Sequence, residues 1–363
     1  PYRQVASSHP DGLIDLSVGS PVDPSPAVAT DALASASQAP SYPLTAGTPE
    51  LQSAMANWWQ RRRNTGPLSS LEVVPSIGSK EMVGLLPTLL GVRAGHTVVI
   101  PEVAYPTYAI GAVVTGADVV ASDDPSTWPD TSAVIWLNSP GNPTGRVNDV
   151  GYLREAVRTA RAIGATLVSD ECYAELGWGE TAVPSLLDSA VTDGDRTGLL
   201  SLYSLSKQSN LAGYRAALVA GDEKLIQDIL LARKHLGLIV PAPIQAAMTA
   251  VLGDDAHVAL QKERYRTRRD LLMEAFVGAG FPSGMVYFFP KFGIEKKRAL
   301  FGLTLFVSVL LLSLVLGLVN FFPEFILGEA ASGKQFLKMA TISSPAVQES
   351  IDKEWKKIYH KRR

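Results

Sequence analysis

The chain has 363 residues, 46% of them hydrophobic and 19% charged, with a formal net charge of -2. That length suggests about two domains around a sizeable core, and the even charge balance lacks the strongly basic face that nucleic acid requires. The single cysteine, Cys172, excludes an intrachain disulfide and a multi-cysteine metal site, which fits a reducing cytoplasmic setting.

The opening run PYRQVASSHPDG carries no apolar stretch long enough for a secretory signal, so none is expected there. Further on, runs rich in β-branched and other apolar residues recur: HTVVIP at 96–101, SAVIWLNSP at 132–140, ATLVSDE at 165–171, GLLSLYS at 198–204 and AALVAG at 216–221. Their near-continuous apolar character is that of strands buried on both faces. Between them, LREAVRTARAIG at 153–164 and EKLIQDILLARKHLG at 223–237 place apolar residues at helical spacing and end at glycine. This alternation predicts an α/β protein with a mainly parallel sheet between two layers of helices. After AAMTAVLGDDAH, the long charged helix VALQKERYRTRRDLLMEAFVGAG opens a second, smaller domain. The expected division is an N-terminal arm over 1–19, a large domain over 20–254 and a small domain over 255–363.

One segment breaks the pattern. From Ala299 to Phe322 the chain reads ALFGLTLFVSVLLLSLVLGLVNFF, free of charge and preceded by the basic KFGIEKKR. Length and composition meet the criterion for a membrane span with that flank on the cytoplasmic side. The interspersed Gly302, Thr304, Ser308, Ser313, Gly317 and Asn320 equally permit a helix and strand folded into the small domain. Both readings stand on sequence alone.

In a sheet of this kind ligands gather beyond the carboxyl ends of the strands, so the polar segments that follow the strands are where chemistry is sought. These are the asparagine, proline and glycine turn NSPGNPTG (138–145), the strand-end acid of SDECY (169–173) and the lysine of YSLSKQSNLAGYR (203–215). Upstream, SIGSKE (76–81) is a glycine-serine turn at a helix start, whose free backbone N–H groups suit a phosphate. Taken singly, each has a plain structural explanation: a tight turn, a helix cap, a solvated lysine.

Taken together, in this order and at these strand ends, the segments resemble the pyridoxal-phosphate aminotransferases of fold type I. SLSKQSNLAGYR matches that family's serine, lysine, glycine and arginine at fixed spacing, NSPGNPTG its asparagine turn, and SDECY its aspartate-tyrosine pair. The runs DLSVGSPVDPSP, YPLTAGTPELQ, PEVAYPTY and RKHLGLIVPAPIQAAM look like one branch of it, the actinobacterial type of succinyldiaminopimelate aminotransferase of lysine biosynthesis.

The resemblance implies a three-layer fold with a smaller α+β C-terminal domain, pyridoxal 5'-phosphate as cofactor, and a homodimer. Lys207 would carry the cofactor as a Schiff base and then shuttle the proton, and Asp170 would keep the pyridine nitrogen protonated. Asn142 and Tyr173 would hydrogen-bond the phenolic oxygen, and Tyr105 would stack on the ring. The phosphate would be held by Arg215, by the hydroxyls of Ser204 and Ser206, and by the amides of Gly78, Ser79 and Lys80, while Gly213 would let the backbone turn nearby. Tyr42 would reach the phosphate of the neighbouring subunit. Gly19 and Asn142 would approach the substrate.

The resemblance covers roughly residues 1 to 285. In GEAASGKQFLKMATISSPAVQESIDKEW, Lys338 stands where the family has the arginine that grips the α-carboxylate of the substrate. Three functions remain open: transfer from glutamate to a keto acid with a distal carboxylate, such as N-succinyl-2-amino-6-oxopimelate; β-elimination from a sulfur amino acid; and a membrane-tethered protein of this fold that no longer binds substrate.

Overall fold

The computed structural model describes residues 19–179 and 182–278, without the side chains of 275–278. The apolar run 299–322 and Lys338 lie outside the described residues. Seven strands form one sheet: β1 (Val73–Ile77), β2 (Thr97–Ile100), β3 (Asp118–Ala121), β4 (Ser132–Asn138), β5 (Thr166–Asp170), β6 (Leu199–Ser204) and β7 (Ala216–Gly221). Their order across the sheet is β1-β7-β6-β5-β4-β2-β3. The run from β3 to β6 is parallel, whereas β7 lies antiparallel to both β6 and β1.

The helices are α1 (Ala27–Ser35), α2 (Pro49–Arg63), α3 (Ser79–Leu89), α4 (Thr107–Thr115), α5 (Val150–Ala162), α6 (Ser189–Thr192), α7 (Leu205–Gln208), α8 (Glu223–Leu236), α9 (Ala242–Gly253) and α10 (Ala256–Gly278). Several starts are written in the sequence. Thr48, Asp149 and Asp222 accept hydrogen bonds from the first-turn amides of α2, α5 and α8, satisfying donors that have no partner inside the helix. At the other end of α8, Gly237 turns the chain with φ +70.

The strand period of two divides the apolar residues between two cores. Ile135, Leu137, Leu167, Tyr203 and Leu218 join one core with Met55, Trp58, Trp59, Leu153, Val157 and Met248 of α2, α5 and α9. Val134, Trp136, Val168, Leu202 and Val219 join the other, with Met82, Leu86, Tyr108, Ala112 and Ile229 of α3, α4 and α8. This is the expected three-layer arrangement. Full burial of each such side chain contributes about 1.5–3 kcal/mol, so a sheet covered on both faces is rigid enough to hold loops at its edge.

Behind β5, the buried guanidinium of Arg63 meets the buried Glu171 carboxylate at 2.9 Å. The hydroxyls of Ser185 and Ser201 and the Leu186 amide donate to the other oxygen of that carboxylate. Removing one partner of such a pair costs about 3–5 kcal/mol, and the network pins the residue next to Asp170.

The chain separates into two units at Thr267 and Arg268. The sheet belongs to the first; of the second, only the continuation of α10 lies among the described residues, so the small domain expected over 255–363 falls mostly outside them. Among the described residues no helix is long and apolar enough to cross a membrane.

Candidate active site

Three neighbouring strands end together. Asn138 at the end of β4 pairs in register with Asp170 at the end of β5, and Asp170 with Leu202 of β6, two residues before Ser204. Beyond this edge lies a cavity of about 720 Å³, within the range that holds a small cofactor with its substrate.

Asp170 is 5% exposed and lines the cavity. The Tyr108 hydroxyl donates to its Oδ2 at 3.0 Å, and the Cys172 amide to its Oδ1 at 3.2 Å. Burial pushes the carboxyl above its ordinary value, against the pull of these two hydrogen bonds. Among the described residues it makes no ion pair, so it favours a ligand that brings a proton or a positive charge. The Tyr108 ring stacks on Trp136 at 5.0 Å and meets Tyr105 edge-on at 6.0 Å. Burial also raises the Tyr108 hydroxyl and the Cys172 thiol well above their ordinary values, keeping both protonated.

Asn138 organises the neighbouring turn. Its Nδ2 donates to the Asp170 carbonyl at 2.9 Å and its Oδ1 accepts from the Asn142 amide at 2.7 Å, which fixes Asn142 at the cavity wall. The Ser139–Pro140 and Asn142–Pro143 bonds are both cis. Tyr173 is half-buried on the same wall, its hydroxyl pushed up to about 12, mainly by burial.

Lys207 sits on α7, one turn beyond β6, and its Nζ donates to the Gly19 carbonyl. Partial burial lowers its pKa, enlarging the fraction of neutral, nucleophilic amine.

Arg215, Ser204 and Ser206 gather at the other end with the start of α3. The Ser204 hydroxyl donates to that of Ser206 at 2.8 Å and accepts from the Ser206 amide. Gly78 has φ +76, and a Cβ there would lie 2.2 Å from Arg215 Nη2. The missing side chain is what lets the guanidinium lie over the helix start. The Gly78 amide already donates to the Ser76 carbonyl at 2.8 Å, so the donors turned outward are those of Ser79 and Lys80, which lack intrahelical acceptors. Gly213 has open space where a Cβ would lie, and the left-handed residues of this segment are instead Asn210 (φ 53) and Arg215 (φ 57).

The cavity thus brings together Gly19, Ser79, Lys80, Tyr105, Asn142, Asp170, Tyr173, Ser204, Ser206, Lys207 and Arg215. Gly78 stands behind Arg215, and Tyr42, 97% exposed, does not line the cavity. Sequence reasoning missed Tyr108 and Asn138, although both stand inside the motifs PEVAYPTY and NSPGNPTG. Their places three residues after Tyr105 and four before Asn142, within the same motifs, are the available signal.

The model of the family described as aminotransferase class I and II matches residues 11–288. The chain belongs to that family. A protein of Mycobacterium tuberculosis described as a probable aminotransferase is 50% identical over 280 residues, covering 77% of this chain and 67% of the relative. The 4-dedimethylamino-4-oxo-anhydrotetracycline transaminase OxyQ of Streptomyces rimosus is 51% identical over 282 residues, covering 77% and 78%. Among solved structures, one described as a probable N-succinyldiaminopimelate aminotransferase from Thermus thermophilus superposes with a TM-score of 0.67 at 30% identity, covering 74% of this chain and 75% of that one.

Class I and II aminotransferases use pyridoxal phosphate, and the residues present fit it. A buried carboxylate suits the ring nitrogen, a half-buried lysine of lowered pKa suits the aldehyde, and the Gly78–Arg215 cradle, which a Cβ would fill, suits the phosphate.

Proposed function

We propose that the chain transfers the amino group of glutamate to a small keto acid bearing a distal carboxylate, and that N-succinyl-2-amino-6-oxopimelate is that acceptor. Aminotransferase chemistry rests on family membership. The observation that carries the site is Lys207 and Asp170 in one cavity, with the amine half-buried and the carboxylate buried. The acceptor is supported by the likeness to the Thermus thermophilus structure. The OxyQ relative favours a second reading, in which the acceptor is a ring ketone of a larger molecule.

When bound, pyridoxal phosphate supplies an electron sink that acidifies the α-hydrogen of the amino donor and a carbon that receives the amino group. In this reading Lys207 would anchor the cofactor, and its Nζ would take and return the proton of the donor α-carbon. Asp170 would hold the protonated ring nitrogen, and its burial would strengthen that charge pair. Tyr108 orients the Asp170 carboxylate. Asn142 and Tyr173 would donate to the phenolic oxygen, and Tyr105 would cover the ring face. Arg215, Ser204, Ser206 and the amides of Ser79 and Lys80 would bind the phosphate.

Gly19 lines the substrate side, and Lys338 is assigned to the substrate carboxylate. The exposed Tyr42 is assigned to the phosphate of a partner subunit, making the working form a homodimer. The small domain is assigned to 255–363.

Visible absorption of the purified protein before and after glutamate tests transfer. A shift from the aldehyde-bound to the amine-bearing cofactor supports it, and release of pyruvate from a sulfur amino acid in place of that shift overturns it. Comparing kcat/KM for N-succinyl-2-amino-6-oxopimelate with that for a tetracycline-type ketone separates the two acceptors.

A further inference from the structure

Helix α10 carries His257, Gln261 and Tyr265 at intervals of four, and therefore on one face. All three reach the segment that bears Lys207. His257 Nε2 lies 2.8 Å from Ser209 Oγ, with Nδ1 3.2 Å from Asp254 Oδ2. The Asn210 side-chain amide donates to Gln261 Oε1 at 2.9 Å, and the Tyr265 hydroxyl donates to the Lys207 carbonyl at 3.0 Å. Asn210 has φ 53, a left-handed conformation that asparagine adopts more readily than other residues with a side chain.

Gln261 does more than hold the loop. Its Nε2 donates to Asp23 Oδ2 at 2.7 Å, and the residue is only 3% exposed. Asp23 lies two residues beyond Pro21, in the irregular segment whose Gly19, Ser20 and Pro21 line the cavity. The carbonyl of Gly19 accepts from Lys207 Nζ itself. Ser25 and Pro24 add two further bonds to Asn210, at 3.1 and 3.3 Å. One buried amide thus uses its acceptor on the lysine loop and its donor on the segment facing the substrate.

We infer that Gln261 is a positioning residue that helps keep Gly19–Pro21 in register with Lys207, bonding both segments through one side chain. The assignment of Lys207 rests on the aminotransferase reading above; the bracket itself does not. A carboxamide offers a donor and an acceptor on two separate atoms at one end, which lets Gln261 bond both segments at once. A glutamate at 261 would set a carboxylate against the carboxylate of Asp23, and an apolar residue would remove both bonds.

The test uses Gln261→Glu and the paired exchange Asp23→Asn with Gln261→Glu, which reverses donor and acceptor while conserving charge. Hydrogen exchange of the cofactor-free full chain should show the amides of Gly19, Ser20, Val22 and Asp23 and those of 208–212 loosening together in the single variant, by about tenfold for the loss of one hydrogen bond to a charged group, and recovering together in the pair. With cofactor and glutamate, the single variant should lose about tenfold in kcat while the cofactor Kd stays within about twofold, and the pair should recover most of kcat. Loosening of only one segment, failure of the pair to recover, or a lower Tm with exchange and kcat unchanged would overturn the inference. A wild-type chain that fails to transaminate would refute the aminotransferase reading, and the exchange measurement would still decide the bracket.

Discussion

At the Asp170 end of the cavity the polar groups are sealed in: the carboxylate is 5% exposed, Tyr108 is 1% exposed, and Trp136 closes the layer beneath. At the Arg215 end, Lys80 and Arg215 are exposed, and the helix start and two serine hydroxyls stand around them. Low polarizability around Asp170 magnifies every charge placed against it, whereas solvent and salt weaken interactions around Arg215. The buried end is therefore suited to altering the reactivity of what it touches, and the exposed end to capturing a dianion through many modest contacts. Lys207 stands between them. Substitutions at the buried end should act on kcat, and those at the exposed end on cofactor Kd.

The largest effect belongs to the residue in the middle. Lys207→Ala should lower transfer by about 10²–10⁴ or more, the range typical of losing a positioned proton carrier, while cofactor still binds through the phosphate end. Borohydride reduction of wild type followed by peptide mapping should label Lys207. A label on Lys80 instead would place the reactive amine at the exposed end and break the comparison.

Next comes Asp170→Asn, expected to cost about tenfold to a hundredfold in kcat from the loss of a hydrogen bond to a charged group, with cofactor Kd little changed. It carries a pH signature as well. Because burial raises the Asp170 carboxyl above 3.8, the folded cofactor-free protein holds its proton to higher pH than the unfolded chain does. The resulting stabilisation is complete below 3.8 and is lost as pH rises through the folded value. Relative to the asparagine variant, wild type should lose stability across that window. Urea midpoints measured against pH check this, and a difference that does not vary with pH would show that the carboxylate is not strained by burial.

Gly78→Ala probes the exposed end. Its Cβ would collide with Arg215, and the backbone there, at φ 76 and ψ 154, costs an L-residue about 1–3 kcal/mol, so cofactor Kd should weaken by about tenfold with kcat near normal at saturating cofactor. Higher salt should shrink that loss, because it screens in wild type the contact that the variant disturbs. A fall in kcat with Kd unchanged would erase the division between the two ends.

How much of this could be read beforehand follows the same division between local and long-range information. β2, β4, β5, β6 and β7 announce themselves because each is a continuous apolar run, and the residues that line the cavity do so because they follow those runs directly. β1 did not, since Pro75 interrupts it, a residue tolerated there because β1 lies at the end of the sheet and pairs only with β7. β3 is four residues long and largely exposed, too little pattern to separate from a loop. The reversal of β7 leaves no trace in hydrophobicity, because an apolar strand reads the same in either direction. The Gln261 bracket joins residues 238 positions apart on one side and 51 on the other, a closure that only the folded chain displays.

Tyr108 is the smallest and sharpest probe of the buried end. Its hydroxyl makes one bond, to Asp170 Oδ2, while its ring packs between Trp136 and Tyr105. Tyr108→Phe keeps the ring and removes only the donor. Two consequences follow: the carboxylate loses a bond that stabilises its charged form and so becomes more basic, and it loses the partner that fixes its orientation. A more basic Asp170 would hold the ring-nitrogen proton more strongly in competition with the cofactor, weakening the charge that drives the reaction. Both consequences lower kcat, by about two- to tenfold for a net loss of about 0.5–1.5 kcal/mol, and neither touches the phosphate end, so cofactor Kd should hold. The pH profile of kcat separates them: a displaced acidic limb reports the change in basicity, and an unshifted limb with lower amplitude reports lost orientation. Wild-type kcat and an unshifted profile would mean that the Cys172 amide alone sets the Asp170 carboxylate, leaving Tyr108 as part of the apolar floor.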